Sequence, residues 1–406
     1  GSKLFSVLPS SGVGDFDFTR SGKATRINSQ GLIEEVTNQQ SRLNYPMIDG
    51  KVVGCPSHLL ENSATNQVPY SEDINNNAWT KLKLNVSPNE TISPDGTLSA
   101  DKLTEDTTTG QHRISDIVSL VSGEDYTISA FIKPNGSRWV RLRLENAGVG
   151  SGQINVWFDI ENGVVGTEGA GVGKIEKYPN GWYKCSATGT TNTGVNVCIV
   201  SLADADGSSS YTGSASRSAY VWGVSVENLS HLTSYIPTNG SAVTRSAETA
   251  NNSGDASDTF NDSEGVLMAE ISFLENGRIG VSNPDNSDQV LFGNADGIFY
   301  RITENNSDPI TEFVDGNVDD VNKIALKYKS TETSIFVNGF KLDTSITSYS
   351  LSGLNELALT SQGANFYGNT KQIQYYNSAL TDSELEQLTS WTSFTDMAEG
   401  QLYTIE

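Results

Sequence analysis

Apolar and polar side chains alternate along much of this chain. The clearest examples are residues 126–133, 138–145 and 154–160. Because successive side chains of a β-strand point to opposite faces, each of these stretches predicts a strand with one buried face. Further strands are predicted at 181–188, 195–202 and 219–226. Together these strands predict one β-sandwich over residues 69–238.

A second set of short strands follows, again separated by segments rich in Gly, Asn, Ser and Thr. Its strands are predicted at 266–274, 289–292, 298–303, 323–329, 334–337, 356–360 and 371–376. They predict a second β-sandwich over residues 259–406, and hence an all-β chain with two tandem sandwiches. Near the end, Thr381 and Glu384 have the spacing of a helix capping box ahead of Leu385 and Leu388, so a C-terminal helix is expected.

Two segments outside the sandwiches are poor in apolar residues. Residues 1–68 form a short irregular leader that is too small for a core of its own. We expect it to pack on the first sandwich or on sister subunits. Residues 239–258 are polar and are predicted to be a linker. The chain begins with Gly1-Ser2 and no initiator Met, which is typical of a processed tag or of a piece of a longer polypeptide.

The composition excludes several kinds of partner. The chain carries 26 Lys plus Arg against 49 Asp plus Glu, a formal net charge of −23. A surface of that sign repels nucleic acid and anionic membranes, so neither is expected as a partner. No apolar run approaches the roughly 18 residues that a membrane-spanning helix needs. The three cysteines, without a Cys-x-x-Cys motif, indicate free thiols rather than a disulfide framework or a zinc site.

Several motifs resemble those of one kind of viral protein. They are residues 70–79, 93–103, 180–185, 220–227 and 234–245, with a further pattern in residues 18–34 of the leader. In combination they resemble bacteriophage virion fibre and spike proteins (tail or head fibres) that carry carbohydrate-binding-module-like β-sandwiches. The resemblance implies a homotrimeric adhesin on the surface of a phage virion. It also implies a host surface polysaccharide as ligand and contact with other virion proteins through the leader.

The second half resembles a different fold family. Residues 323–328, 336–339 and 374–385 are similar to concanavalin A-like, laminin-G-type jelly rolls. This resemblance implies a jelly-roll topology for the second sandwich. It does not imply an activity, because the same architecture supports lectins, structural modules and glycosidases.

Polar and aromatic side chains lie opposite the apolar ones on two predicted strands. They are Trp139, Arg141, Arg143 and Glu145 on one strand and Asn155, Trp157 and Asp159 on the other. A protein binds sugar with an aromatic ring against its C–H face and with fixed donors and acceptors for its hydroxyls. Arginines also suit the carboxylate of a uronate or sialate. We expect this sheet face to bind glycan; the alternative is packing against another domain or subunit.

Three acidic residues are candidates for a structural Ca²⁺ site. The resemblance to calcium-stabilised carbohydrate-binding sandwiches implies that Glu72, Asp73 and Glu227 share one ion. The chain departs from that pattern, because Trp222-Gly223 stands where an aspartate is expected. The alternative is that these carboxylates are simply solvated.

The sequence offers little for catalysis. Asp159 and Glu161 share a strand face, as the paired carboxylates of a retaining glycosidase do, but a third acid of that pattern is missing. The three histidines are scattered, and none is paired with a nucleophile. We therefore expect a non-enzymatic adhesin that binds host polysaccharide. The alternatives are a polysaccharide depolymerase, either glycosidase or lyase, and a purely structural capsid or fibre module.

Overall fold

The structure is a computed structural model of the 406-residue chain. It describes residues 2–4, 16–146, 152–192, 194–254, 259–318, 320–361 and 363–401. Strands dominate this part of the chain, as the alternating sequence predicts. No helix in these ranges is long and apolar enough to cross a membrane.

Within the described residues, the leader contributes nine short strands, four of which pair with strands far away in the sequence. They are β1 (Ser2–Leu4), β2 (Asp17–Thr19), β3 (Ala24–Ile27), β4 (Ile33–Val36), β5 (Arg42–Asn44), β6 (Met47–Ile48), β7 (Lys51–Val52), β8 (Ser57–Leu60) and β9 (Ala64–Asn66).

The first sandwich is built from the next strands. They are β10 (Thr80–Leu82), β11 (Leu84–Ile92), β12 (Leu98–Glu105), β13 (Thr109–Gly110), β14 (His112–Ile117), β15 (Asp125–Asn135), β16 (Trp139–Asn146), β17 (Gly152–Asp159), β18 (Val164–Ala170), β19 (Val172–Lys177), β20 (Tyr183–Thr190), β21 (Val195–Ala203), β22 (Tyr211–Thr212) and β23 (Ser218–Glu227). A single 3-10 turn, Pro179–Gly181, joins β19 to β20.

Two sheets enclose the core of this sandwich. Sheet 1 has the strand order β10-β14-β21-β16-β17-β18, and sheet 2 has the order β11-β12-β23-β15-β20-β19. Ile128 and Ile132 of sheet 2 lie fully buried in one cluster with Val140, Leu142 and Phe158 of sheet 1. The predicted inward faces are therefore confirmed by burial. Their burial is the main stabilising term of the fold.

Strand β15 is buried on its other face as well. Phe131, which alternation places on the polar side, is fully buried in a second cluster with Trp182, Trp222, Tyr235 and the leader residue Ile33. The leader and the segment after β23 thus cover the outer face of sheet 2. Trp182 and Trp222, together with Trp79 elsewhere in this sandwich, are almost fully buried, as a core role predicts.

After the first sandwich, the chain forms two short strands in the segment predicted to be a linker and then the strands of the second sandwich. The strands are β24 (Val243–Arg245), β25 (Thr249–Asn251), β26 (Glu264–Phe273), β27 (Gly277–Ser282), β28 (Gln289–Asn294), β29 (Ile298–Glu304), β30 (Ser307–Val314), β31 (Asn322–Lys329), β32 (Glu332–Val337), β33 (Phe340–Ser345), β34 (Glu356–Ala358), β35 (Thr360–Ser361), β36 (Ala364–Asn365) and β37 (Gly368–Tyr376). Sheet 3 has the order β30-β29-β28-β27-β34, and sheet 4 has the order β33-β32-β31-β26-β37-β8-β5, with β1 also on β37.

Two helices end the described chain: α1 (Asp382–Thr389) and α2 (Phe394–Gly400). The predicted capping box of α1 is present, since Thr381 and Glu384 each accept a hydrogen bond from the other's backbone N–H. Leu385 is fully buried against sheet 4, and Leu388 packs there in part. Helix α2 was not expected from the sequence.

The leader joins both sandwiches. Strands β5 and β8 extend sheet 4, whereas β9 pairs with β23 of sheet 2 and with β24. Strand β2 pairs with β25, so the predicted linker is held by backbone hydrogen bonds. The three parts of the chain therefore meet at one junction, where several charged side chains are buried.

Candidate functional site

The outer face of sheet 1 carries a row of polar side chains across four neighbouring strands. Ser201 on β21 lies opposite Arg113 on one side and opposite Arg141 on the other. Arg141 in turn lies opposite Trp157 on β17. Alternation fixes this row, because the residues adjacent to each member in sequence point into the core. We call Arg113, Ser201, Arg141 and Trp157, together with Arg143, Glu145 and Asn155 beside them, the arginine face.

The carboxylate of Glu145 interacts with two of the three arginines of the arginine face. Glu145 accepts a hydrogen bond from Arg113 at 3.3 Å and forms an ion pair with Arg143 at 2.8 Å. Arg143 lies opposite Asn155, whose side-chain oxygen is buried without a hydrogen-bond donor among the described residues. The face therefore has more donors than acceptors.

Arg141 is the most unusual member of the face. It is only 3% exposed, and its guanidinium lies 5.2 Å from the centre of the Trp157 ring. Its Nε and Nη2 atoms are buried with no hydrogen-bond partner in the described part of the chain. Burial, aided by the positive charge of Arg143, lowers the pKa of Arg141 to about 10. A buried donor without an acceptor is costly, so such a group requires a physical explanation.

The two tryptophans of the predicted site are differently placed. Trp157 is 5% exposed, and its indole N–H donates to the carbonyl of Ser208 at 2.8 Å. The loop after β21 thus covers part of its ring. Trp139 is half-buried, with Arg138 5.4 Å from its ring centre. Trp139 is therefore the more open of the two aromatic surfaces.

Asp159 lies at the end of the row and has a local role. Its carboxylate accepts hydrogen bonds from Arg138 at 2.6 and 2.8 Å and from the Asn162 side chain at 2.9 Å. Burial opposes its ionisation, but these hydrogen bonds outweigh burial and lower the pKa of Asp159. It also accepts from the backbone N–H of Glu161, so it orders the turn after β17.

Sequence reasoning missed Arg113 and Ser201. Residues 112–117 alternate around the buried Ile114, and this pattern would have placed Arg113 on an outer face. Ser201 lies on a strand that was predicted, but a lone serine gave no chemical signal. Only the strand order of sheet 1 shows that both lie beside Arg141.

The three predicted metal ligands have other partners. Glu227 is 1% exposed and accepts hydrogen bonds from Thr233 and Ser225. Burial raises the pKa of Glu227, and burial likewise raises that of Glu72, which accepts from the Tyr235 hydroxyl at 3.0 Å. Within the described residues, no three Asp, Glu, His or Cys side chains form a group that could hold a metal ion.

A lysine lies near Asp73, one of the three predicted ligands. The Lys81 ammonium donates to the backbone carbonyls of Asn75 and Asn76, which follow Asp73 in the chain. Asp73 and Asp101 add favourable electrostatic interactions with it. The ammonium supplies the positive charge that Ca²⁺ would bring to these oxygens, so the residues fit a lysine better than an ion. Calcium at this place stays a prediction.

The fold and the arginine face define an all-β chain of two sandwiches with a polar, partly buried sheet face. No family model matches the sequence, and no curated protein matches it.

Some solved structures show weak similarity. The CBM40 domain of the Ruminococcus gnavus IT-sialidase, bound to α2,3-sialyllactose, is 18% identical at a TM-score of 0.27, over 32% of this chain and 84% of that chain. Domain 4 of the Geobacillus stearothermophilus arabinanase AbnA, in complex with arabinotriose, is 15% identical at 0.30, over 36% and 73%. Mouse laminin α1 domains LG4–5 are 10% identical at 0.24, over 81% and 96%. Scores of this size carry no argument about function.

Proposed function

We propose that this chain is a non-enzymatic glycan-binding protein, and that the arginine face binds an acidic sugar. The observation that carries the proposal is the buried Arg141 guanidinium with Nε and Nη2 unpartnered in the described structure. Leaving a buried donor unsatisfied costs about 1–3 kcal/mol. A ligand that supplies the missing acceptors would recover that free energy on binding.

The two unpartnered atoms of Arg141 specify the chemistry of the acceptor. Nε–H and one N–H of Nη2 lie parallel on one edge of a guanidinium, and this edge matches the two oxygens of a carboxylate. Glu145 does not reach it, since its contacts are to Arg113 and Arg143. A uronate or sialate carboxylate is therefore the expected ligand group.

Neighbouring groups suit the remainder of such a sugar. Ser201 Oγ and Asn155 Oδ1 are buried without partners among the described residues, so each has capacity for a sugar hydroxyl. A ligand would reach them by displacing the side chains of Arg113 and Arg143, which are 22% and 11% exposed. The half-buried Trp139 offers a ring at the other end of the face. Aromatic rings and fixed polar groups together are what sugar recognition needs.

The biological setting proposed is the surface of a phage virion, with a host surface polysaccharide as the glycan. This part rests on the motif resemblance of residues 70–79, 180–185 and 234–245. A homotrimeric fibre would multiply the affinity of a weak single site. The face supports binding rather than hydrolysis, because its one carboxylate close to Arg141 is held by two arginines.

The test is binding of the full chain to bacterial polysaccharides that contain uronic or sialic acids, measured on a glycan array and by calorimetry. Each polysaccharide is compared with its carboxyl-reduced form, which has the same backbone without the charge. We expect Arg141→Lys, which keeps the charge and loses the bidentate edge, to weaken binding about tenfold or more. Reducing-end release from the same polysaccharides distinguishes a depolymerase from a binding protein.

The matched control is Arg217→Lys, since Arg217 lies next to β23 of sheet 2, away from the arginine face, and is 30% exposed. It should bind like the parent protein. Equal affinity for native and carboxyl-reduced polysaccharide, or an unaffected Arg141→Lys variant, would overturn the proposed site.

A further inference from the structure

A cleft of about 200 Å³ lies on the opposite side of the first sandwich from the arginine face. It is found where the leader, the first sandwich and the second sandwich meet. The side chains that define it are Asn44 of the leader, Phe131, Glu176, Tyr178 and Lys184 of sheet 2 and its flanking turn, and Asn369 of the second sandwich. Concave sites between domains are common places for small ligands.

The floor of the cleft contains a buried ammonium group. Lys184 is 5% exposed, and its Nζ donates one hydrogen bond, at 3.3 Å, to the Thr233 carbonyl. Its ammonium also lies 5.3 Å from the centre of the Phe131 ring. An ammonium has three donors, so one long hydrogen bond within the described part of the chain leaves capacity for an oxygen of a ligand.

The charges around the cleft are balanced. Lys174 pairs with Glu176 at 2.9 Å, and Arg26 pairs with Glu34 at 3.0 Å. The buried Glu227 compensates Lys184 electrostatically. Each of these three cations among the described residues therefore has a carboxylate that compensates its charge, and this favours an uncharged ligand.

Aromatic rings form one wall. Tyr178 meets Phe131 edge to face at 5.0 Å, and the Tyr235 ring lies 6.1 Å from Phe131. Tyr178 is half-buried and lines the cleft. Such a wall suits the C–H face of a pyranose, whereas the ammonium, Glu176 and the amides suit its hydroxyls.

We propose that this junction cleft binds a single neutral sugar residue. Its volume is below the several hundred Å³ of typical drug-sized pockets, which favours one ring over an oligosaccharide. The site is separate from the arginine face and needs the intact chain, because all three parts contribute to it.

The experiment is saturation-transfer NMR of the full chain with D-glucose, D-galactose and N-acetyl-D-glucosamine, each at about 10 mM, a range that detects millimolar dissociation constants. We expect at least one neutral sugar to bind, and Tyr178→Ala and Glu176→Gln each to weaken it about fivefold or more. Arg141→Lys, on the opposite sheet, should leave this binding unchanged.

Melting temperatures show whether each variant is folded, and Glu176→Gln keeps the test valid should Tyr178→Ala unfold the protein. Absence of binding by all three neutral sugars, or binding unchanged in the folded variants, would overturn the cleft site. Loss of neutral-sugar binding in Arg141→Lys would place the sugar on the arginine face instead. Polysaccharide binding by the cleft variants reports separately on the arginine face.

Discussion

Arg42 of the leader and Glu248 of the segment between the sandwiches form a fully buried bidentate ion pair. Arg42 Nε donates to Oε1 at 3.0 Å and Nη2 donates to Oε2, and both side chains are 0% exposed. Arg20 donates to the same carboxylate at 2.7 Å, and Glu61 accepts from Arg42 at 2.9 Å. Arg245 completes the group through Glu61. These residues join the leader to the segment predicted to be a linker.

Removing the Glu248 charge should destabilise the protein strongly. In Glu248→Gln the buried guanidinium groups of Arg20 and Arg42 lose a shared counter-charge. Breaking a buried ion pair by removing one partner costs about 3–5 kcal/mol. The free energy of unfolding, measured by urea denaturation, should fall by that amount.

The control for this variant is Glu35→Gln. Glu35 pairs with Lys23 on the surface, where the two side chains are 48% and 68% exposed. Exposed pairs contribute little, so this change should stay within about 0.5 kcal/mol of the parent. Equal effects of the two substitutions would show that the buried network does not stabilise the junction.

The buried His58 should make stability fall on mild acidification. It is 1% exposed, and neither ring nitrogen has a partner among the described residues. Burial, aided by the charge of Arg42, lowers its pKa from 6.5 to about 3. A depressed histidine pKa means that the unfolded chain binds the proton first, so stability decreases as the pH falls from about 6.5 towards 3.

His58→Leu tests this directly. Leucine cannot bind a proton. The free energy of unfolding of the variant, relative to that of the parent, should therefore increase between pH 7 and pH 4. Glu61, whose pKa is lowered to about 2 by its arginine partners and Ser234 despite burial, adds a loss below about pH 4.5 in both proteins. Thermal melts across this range provide the measurement, and a pH-independent difference would contradict the assignment.

The strands of the two sandwiches could be predicted from sequence because their burial follows a local rule. Residues such as Val140 and Leu142 alternate with Arg141 and Arg143. In a strand with one buried face, the apolar residues of such a pattern must point inward and the arginines outward. The leader could not be predicted in the same way. The pairing of β8 with β37 joins residues more than 300 positions apart, and β5 then adds to β8 at the edge of the sheet. Short local sequence patterns do not indicate the long-range pairing.

The candidate site was predictable in part for the same reason. Alternation placed Arg141 and Trp157 on the outer face, and their pairing across strands follows from the register. The hydrogen bond from Trp157 to Ser208 depends on a loop conformation that sequence does not specify. The role of Lys81 is similar, since only the folded loop brings the Asn75 and Asn76 carbonyls to its ammonium.

A bound calcium ion and the Lys81 ammonium lead to opposite expectations for the effect of a chelator on the melting temperature. With the Lys81 ammonium on the loop carbonyls, the melting temperature should be the same in EDTA and in millimolar Ca²⁺. Lys81→Ala should lower stability by about 1–3 kcal/mol, because it leaves the carbonyls without their charged donor. Lys102→Ala, which removes only a 3.5 Å surface contact with Glu90, is the matched control. A melting temperature that falls in EDTA would establish a bound ion instead.

Arg141 and Arg42 are both buried arginines, yet their replacement by methionine should have opposite effects. Arg42→Met removes a guanidinium that holds both Glu61 and Glu248. Each carboxylate keeps one arginine, Arg245 or Arg20, but loses its buried contact with Arg42, so stability should fall by about 3–5 kcal/mol. Arg141→Met removes two unpartnered donors, whose burial costs about 1–3 kcal/mol each, and loses a Trp157 contact worth about 0.5–2 kcal/mol.

The net expectation for Arg141→Met is therefore unchanged or higher stability, together with loss of acidic-glycan binding. Urea denaturation and calorimetric titration of the same preparation measure both quantities. If Arg141 binds the ligand, replacing it should abolish binding without lowering stability. A strong loss of stability in Arg141→Met would instead show that the guanidinium is a structural element of the sheet face.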